Sequence, residues 1–162
     1  MKNEETHRGK RVERSYRQTI EADADAVFPL LCPVRETEWL DGWDYRMVYS
    51  ASGFAERGAV FSTSSPGEED TVWIVTRHDA AERRVDFARF TPGCKTCLLS
   101  IAVTPVAASR CHVDITYAYT SIAPVGDAFL TEWTEEAFLR LMIFWERSMN
   151  HFLTVGGRLA RT

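Results

Sequence analysis

The middle of the chain alternates between apolar and polar residues in short runs that are typical of strands. Between residues 44 and 122 these runs are rich in β-branched and aromatic residues, and clusters of Gly, Pro, Ser and Asp separate them. Such clusters favour tight turns between antiparallel neighbours. The pattern predicts a six-stranded meander with strands at 44–51, 59–64, 71–78, 83–91, 95–104 and 110–122.

The residues before the meander predict one further strand and two short helices. Alternation over 11–20 indicates a first strand. Asp23 is a suitable N-cap for a helix over 24–31, because its carboxylate can accept a hydrogen bond from a free N–H of the first turn. Pro33 can open a second helix over 34–40, since the first turn does not need its missing N–H.

Helical spacing replaces alternation after residue 125. Apolar residues recur at three- and four-residue steps from 126 to 155, and Gly156 is placed to end the helix. A helix of about 30 residues spans about 45 Å, enough to cross a whole sheet. Its apolar stripe consists of Leu130, Trp133, Ala137, Phe138, Leu141, Met142, Phe144, Trp145, Met149, Phe152 and Val155.

The last strand shows how sheet and helix should pack. One of its faces is apolar and the other polar, so only one face is buried. The apolar face consists of Cys111, Val113, Ile115, Tyr117 and Tyr119. The predicted fold class is therefore α+β, with a curved seven-stranded antiparallel sheet, two short helices after strand 1, and one long C-terminal helix in the concave face.

Composition and charge limit the classes of function. The 162 residues suit one domain, predicted over 9–158 after a frayed segment at 1–8. The net charge of −4, with Arg residues spread along the chain, gives no reason to expect nucleic-acid binding. No run approaches the roughly 20 apolar residues of a membrane span, and a polar start predicts a cytoplasmic protein without a signal peptide. Homodimer formation stays open.

The four cysteines, at 32, 94, 97 and 111, are predicted to be reduced thiols. Cys94 and Cys97 form a CxxC, but it follows a turn and enters a strand, where residues three apart point to opposite faces. A redox CxxC needs a helix N-terminus instead. His151 has no carboxylate one helical turn away to orient it as a base. We therefore expect no metal and no cofactor.

The order of these elements resembles the helix-grip fold of the START-like (SRPBCC) superfamily, particularly its bacterial polyketide cyclase-like branch. The resemblance covers nearly the full chain. Local matches are ADADAVF at 22–28, WLDGW at 39–43, and MNHF at 149–152 with Gly156 behind it. The resemblance implies a hydrophobic cavity between the sheet and the long helix, entered near the short helices and the strand loops.

Alternation places three polar side chains inside this cavity as catalytic or ligand-binding candidates. If Tyr117 and Tyr119 face inward, so do Leu99 and, one strand further, Phe87 and Arg89. Arg89 could hold a ligand carboxylate or phenolate, or pair with a structural carboxylate. The phenols could orient a carbonyl, act as weak general acids, or fill the core.

The leading hypothesis is a protein that binds a small hydrophobic or aromatic ligand, lipid- or polyketide-like, in the cavity. The alternatives are a metal-free cyclase or dehydratase using the same cavity, and a packed interaction module without a pocket. The facing of strands 44–51 and 71–78 stays open. Predicted ligand-binding residues are Trp43, Phe61, Phe87, Arg89, Leu99, Tyr117, Tyr119, Trp133, Phe138, Met142 and Trp145.

Overall fold

The computed structural model describes residues 6–162 and shows the predicted α+β architecture. Seven strands form one antiparallel curved sheet in the order β1-β7-β6-β5-β4-β3-β2, so that only β1 leaves the sequential order. The helix-grip prediction is confirmed. The strands are β1 (Arg11–Ile20), β2 (Arg46–Tyr49), β3 (Val60–Thr63), β4 (Thr71–Asp79), β5 (Arg84–Thr91), β6 (Lys95–Ala107) and β7 (Arg110–Ser121).

The segment predicted to be frayed lies only partly within the described residues. Residues 1–5 lie outside them, and residues 6–10 precede β1 without helix or strand. The backbone N–H of Lys10 donates to Ser121 Oγ over 2.9 Å, which extends the attachment of the chain to β7 by one residue. The single domain over 9–158 stays a prediction.

Two short helical segments follow β1, as the capping signals predicted. Asp23 caps helix α1 (Ala24–Val27), and its Oδ1 accepts from the backbone N–H of Asp25 over 2.8 Å. The predicted helix over 24–31 is shorter than expected, because a 3₁₀ turn takes over at Phe28–Leu30. Pro29 explains the change, since proline has no N–H for an α-helical hydrogen bond. Pro33 opens helix α2 (Pro33–Trp39).

The prediction of a single long C-terminal helix over 126–155 is wrong in one respect. The segment contains two helices, α3 (Pro124–Glu132) and α4 (Glu135–Val155), which meet at Trp133 and Thr134. The hydroxyl oxygen of Thr134 accepts from the backbone N–H of Ala137 over 3.1 Å and so begins a new helix. Because the apolar periodicity continues through the break, the sequence pattern did not reveal the break.

Side chains face as predicted in the strands with clear alternation. The structure also shows which residues of β2 and β4 face inward. The inward residues are buried in β6 as far as Val103 and throughout β7. In β4 the inward residues are Trp73 and Val75, whereas Ile74 is 43% exposed. In β2, Met47 packs against the core and Val48 is exposed.

Helix α4 lies in the concave face, and polar contacts attach one side of it to β1. Glu146 accepts from the backbone N–H of Thr19 over 2.6 Å, and the Asn150 side chain donates to the Thr19 carbonyl over 3.0 Å. Gln18 donates to the carbonyl of Met142 over 3.0 Å. These contacts hold α4 near β1, so the remaining space lies towards α2, α3 and the inner face of β4, β5 and β7. Among residues 6–162, no helix is long and apolar enough to cross a membrane.

Candidate functional site

A cavity of about 240 Å³ lies between the end of α2, the inner face of the sheet and the helices α3 and α4. Its walls are mostly aromatic, and it opens between the turn after α2 and the C-terminal tail. A larger hollow of about 670 Å³ between β1 and α4 is an open, polar surface groove. The cavity is lined by Leu40, Asp41, Gly42, Trp43, Trp73, Arg89, Tyr117, Tyr119, Phe129, Trp133, Leu141, Trp145 and Arg161.

Arg89 is a charged side chain that the sheet directs into these aromatic walls. It lies opposite Trp73 on β4 and Cys97 on β6, both of which are buried, so the predicted inward facing is confirmed and a register slip is excluded. The guanidinium carbon is 4.0 Å from the centre of the Trp73 ring, a cation–π distance. Its Nη1 donates to the Tyr119 hydroxyl over 3.0 Å.

The guanidinium retains unused hydrogen-bonding capacity. Arg89 Nε is buried and has no hydrogen-bond partner. In the described part of the chain, no carboxylate forms an ion pair with it, whereas other arginines, such as Arg17 and Arg83, pair with surface aspartates. The structural ion pair weighed above for Arg89 is therefore not found among residues 6–162.

Tyr117 and Tyr119 supply two phenol groups beside Arg89. Their rings stack with centroids 6.0 Å apart, and both side chains are buried. Burial, opposed by the charge of Arg89, raises the pKa of each phenol above its ordinary value. Both therefore stay neutral at physiological pH. The Tyr119 oxygen accepts from Arg89, which leaves its own O–H free to donate.

The three tryptophans predicted to bind the ligand, Trp43, Trp133 and Trp145, line the cavity, whereas Trp39 at the end of α2 does not. Trp133 Nε1 is buried without a hydrogen-bond partner, whereas Trp43 Nε1 donates to the Pro33 carbonyl over 2.8 Å. Trp39 is fully buried in the core. Its Nε1 donates to the Leu30 carbonyl over 3.0 Å, and its ring meets Trp145 edge-on at 5.9 Å.

The structure brings together six of the eleven predicted ligand-binding residues and places five behind them. The six in the cavity wall are Trp43, Arg89, Tyr117, Tyr119, Trp133 and Trp145. The five that pack in the core instead are Phe61, Phe87, Leu99, Phe138 and Met142. They support the wall directly, since Phe61 stacks on Trp73 at 5.1 Å and Phe138 meets Tyr117 edge-on at 5.8 Å. Ligand contact by any of the eleven stays a prediction.

Seven wall residues were not predicted from the sequence, and three of them show why. The facing of the Trp73 strand was ambiguous, and the helix break that turns Phe129 inward has no apolar signature. Arg161 comes from the tail after α4, where its backbone N–H donates to Asp41 over 2.9 Å, and no local pattern predicts this return. The seven are Leu40, Asp41, Gly42, Trp73, Phe129, Leu141 and Arg161.

The cysteines and His151 lie outside the cavity wall. All four cysteines are free and buried. Cys97 follows Cys94 into β6, and burial chiefly raises the pKa of its thiol to about 11. His151 lines the open groove between β1 and α4. Within residues 6–162, no group of three or more His, Cys, Asp or Glu side chains could hold a metal ion.

The comparison with known proteins yields structural neighbours only. No protein-family model matches this sequence, and no curated protein matches it either. Norcoclaurine synthase from Thalictrum flavum is similar in structure, with a TM-score of 0.65 and 15% identity over 91% of this chain and 96% of that one. The same enzyme in complex with dopamine and hydroxybenzaldehyde has a TM-score of 0.64 and 14% identity over 90% and 87%.

Two polyketide aromatase/cyclases share the architecture. The Zhui aromatase/cyclase from a Streptomyces species has a TM-score of 0.61 and 14% identity over 94% of this chain and all of that one. The di-domain aromatase/cyclase BexL has a TM-score of 0.64 and 18% identity over 88% of this chain and 48% of that one. At these identities the similarity establishes the fold. The chain therefore has a helix-grip fold, which it shares with norcoclaurine synthase and the aromatase/cyclases.

Proposed function

We propose that this protein binds a small aromatic ligand bearing a carboxylate, phenolate or carbonyl oxygen, with that oxygen held by Arg89. The observation that carries the proposal is a guanidinium inside an aromatic cavity, with a buried Nε donor for which residues 6–162 supply no acceptor. Removing a charged group from water is costly unless it is paired and hydrogen-bonded. A ligand oxygen would supply the missing partner.

Two further hydrogen-bond donors come from residues of the cavity wall. Each of them can donate to an acceptor on the ligand. Trp133 Nε1 is buried without a partner, and the Tyr119 O–H is free because its oxygen already accepts from Arg89. Tryptophan N–H and guanidinium groups donate only. The complementary ligand group is therefore an acceptor, and a negative charge would gain most from Arg89.

The walls and the volume specify the rest of the ligand. Flat aromatic side chains on the sheet and on both C-terminal helices favour a planar body. A volume of about 240 Å³ is small for a ligand site and suits one or two rings better than a long acyl chain. A neighbour of the same fold was solved with dopamine and hydroxybenzaldehyde, which are also small aromatic molecules.

The proposal is tested by calorimetric titration with 2-naphthoate and, in parallel, uncharged naphthalene. The wild type should bind the carboxylate more tightly, and Arg89→Met should weaken carboxylate binding by about 10- to 100-fold, the range for a hydrogen-bonded charge. The matched control is Arg84→Met on the outer face of the same strand, where Arg84 contacts Asp86. It should leave binding unchanged.

Two results would overturn the proposal. Equal affinity for the carboxylate and the hydrocarbon would show that Arg89 does not select the ligand oxygen. No binding of either probe by the wild type would favour a packed interaction module, although a cavity of this size argues against that alternative. Cytoplasmic location, the absence of nucleic-acid binding and the homodimer remain untested expectations.

A further inference from the structure

The tail after α4, residues 156–162, returns to the opening of the cavity. Helix α4 ends at Gly156, whose backbone N–H donates to the Phe152 carbonyl over 3.0 Å. Gly156 and Gly157 both have a positive φ, 82° and 74°, which glycine adopts without the strain that a Cβ would cause. The two glycines reverse the chain, so that the tail runs back alongside α4.

Two contacts hold Arg161 of the tail at this opening. Its backbone N–H donates to Oδ2 of Asp41, in the turn after α2, over 2.9 Å. Its guanidinium carbon lies 4.8 Å from the centre of the Phe144 ring on α4, a cation–π distance. Arg161 is consequently one of the residues that line the cavity, together with Arg89 deeper inside.

The N–H donors of the Arg161 guanidinium remain available to a ligand. Asp41 accepts from the backbone of Arg161, and among residues 6–162 no carboxylate forms an ion pair with its guanidinium. Arg140 on α4, by contrast, pairs with Glu136 over 2.7 Å. The contact with Phe144 engages the positive charge through the face of the ring and uses no N–H donor.

A surface groove begins where the cavity ends. It has a volume of about 550 Å³, lies between α4 and the tail, and shares Leu141 and Arg161 with the cavity wall. The charged side chains that line it are Arg140, Arg147 and Arg161. In the described part of the chain, no acidic side chain lines the groove. The cavity therefore continues into a groove lined by positive charge.

The charge around the opening favours an anion. The cavity wall contains Arg89, Arg161 and one acidic residue, Asp41, and the groove adds Arg140 and Arg147. Even with the Glu136 partner of Arg140 included, positive charge is in excess. The whole chain has a net charge of −4, so this excess is local. Positive charge gathered at a cleft raises the local concentration of anionic ligands.

We propose that Arg161 binds a second, anionic group of the ligand at the opening of the cavity. This inference rests on the proposed binding function and narrows the ligand class. The ligand is an aromatic molecule that carries a carboxylate on a short arm, in addition to the oxygen held by Arg89. One or two rings fill a volume of about 240 Å³, so the arm extends past Leu141 into the groove.

The test is calorimetric titration with two probes that share a ring system and a ring carboxylate. They are 6-methoxy-2-naphthoate, whose arm is neutral, and 6-(carboxymethoxy)-2-naphthoate, whose arm is charged. The wild type should bind the probe with the charged arm about fivefold more tightly, the upper end for a solvent-exposed ion pair. Arg161→Met should lower this affinity ratio towards one. It should change the affinity for 6-methoxy-2-naphthoate by less than about twofold, because Arg89 still holds the ring carboxylate.

The matched control is Arg158→Met, which removes the same charge from the same tail. Arg158 is exposed and lines neither the cavity nor the groove, so this variant should keep the wild-type ratio. A second measurement needs no variant: raising NaCl from about 0.05 M to about 0.5 M should lower the wild-type ratio, because salt screens exposed charges. The contact with Arg89 is common to both probes, so its own salt dependence cancels in the ratio.

The outcomes separate the two proposals. If the wild type binds neither probe, the proposed binding function fails, and the role of Arg161 fails with it. If the wild type binds both probes equally, or if Arg161→Met keeps the wild-type ratio, the second contact is overturned while binding at Arg89 stands. The same conclusion follows if Arg158→Met lowers the ratio as much as Arg161→Met does, or if salt leaves the ratio unchanged.

Discussion

Arg89 and Glu36 are two ionisable side chains placed where ordinary packing would favour apolar ones. Arg89 has its guanidinium over the Trp73 ring, with an Nε that has no hydrogen-bond partner among residues 6–162, and the Glu36 residue is 5% exposed. The two influence each other electrostatically but form no ion pair among the described residues. Arg89, which lines the cavity, is therefore available to a ligand, and the energetic cost of burying each group must be offset by the packing around it.

The cost of Glu36 should be measurable as pH-dependent stability. Its pKa in the folded state is about 8, above the value of about 4.5 for an unperturbed glutamate. The folded protein therefore holds a proton that the unfolded chain releases between these values, so the contribution of Glu36 becomes less favourable as pH rises through this window. Glu36→Gln cannot ionise, and its stability relative to the wild type should increase by a few kcal/mol between pH 5 and pH 8.5.

Urea denaturation of both proteins at a series of pH values measures this difference. Parallel stability curves for wild type and Glu36→Gln would show that Glu36 titrates normally and is solvated. Glu38→Gln serves as the control, because Glu38 is ion-paired at the surface, and it should show no such divergence.

At the scale of elements, the break between α3 and α4 shapes the cavity. Thr134 ends the turn after α3 and caps α4, and Phe129 and Trp133 stack at 6.0 Å just before it. Trp133 also meets the Tyr117 and Tyr119 rings at 5.9 and 5.3 Å. In one continuous helix, Trp133 would follow the axis of α4. The break therefore allows α3 to form a separate wall of the cavity.

Thr134→Ala should destabilise the protein by about 1 kcal/mol, because it removes the hydroxyl that accepts from the N–H of Ala137. Thr131→Ala is the matched control. Thr131 is exposed in α3, and its hydroxyl donates only to the carbonyl of Asp127 one turn earlier. Urea denaturation midpoints measure both effects, and equal small losses in the two variants would contradict a special role for the cap.

At the scale of the whole molecule, the sheet and α4 enclose the cavity by packing against a shared aromatic core. Phe138 is an aromatic contact between them, since its ring meets Tyr117 of β7 at 5.8 Å, and it also meets Trp133 at 5.7 Å and is 1% exposed. The polar contacts between α4 and β1 hold the other side of the helix. The cavity is thus the space that remains between the side of α4 that is hydrogen-bonded to β1 and the side that packs against aromatic residues.

Phe138→Ala should destabilise the protein by about 3–5 kcal/mol and enlarge the cavity, because a buried ring is removed from a site that can only partly collapse. The enlarged cavity should favour bulkier ligands, so affinity for 9-anthroate should rise relative to 2-naphthoate. Phe90→Ala is the control, since Phe90 is 45% exposed on the outer face of β5. Thermal unfolding and calorimetry measure the two effects, and equal destabilisation in both variants would contradict this role for Phe138.

Local patterns were sufficient for the architecture of this protein. Period-two alternation, Asp23, Pro33 and Gly156 predicted the strands, the short helices and the end of α4, because those features depend on neighbours within a few residues. The inward facing of Arg89, Tyr117 and Tyr119 followed from strand alternation alone. The sequence also suggested a hydrophobic cavity through its resemblance to the START-like superfamily.

Only the tertiary structure decided which aromatic residues line the cavity and which support it. Phe61 and Trp73 are opposite one another in adjacent strands and both face inward, yet only Trp73 reaches the wall. The carboxyl of Glu36, the break at Thr134 and the return of Arg161 to Asp41 likewise depend on how α2, α4 and the tail pack against the sheet. Periodicity determines which side of an element is buried, whereas depth and the space left over depend on residues distant in the chain.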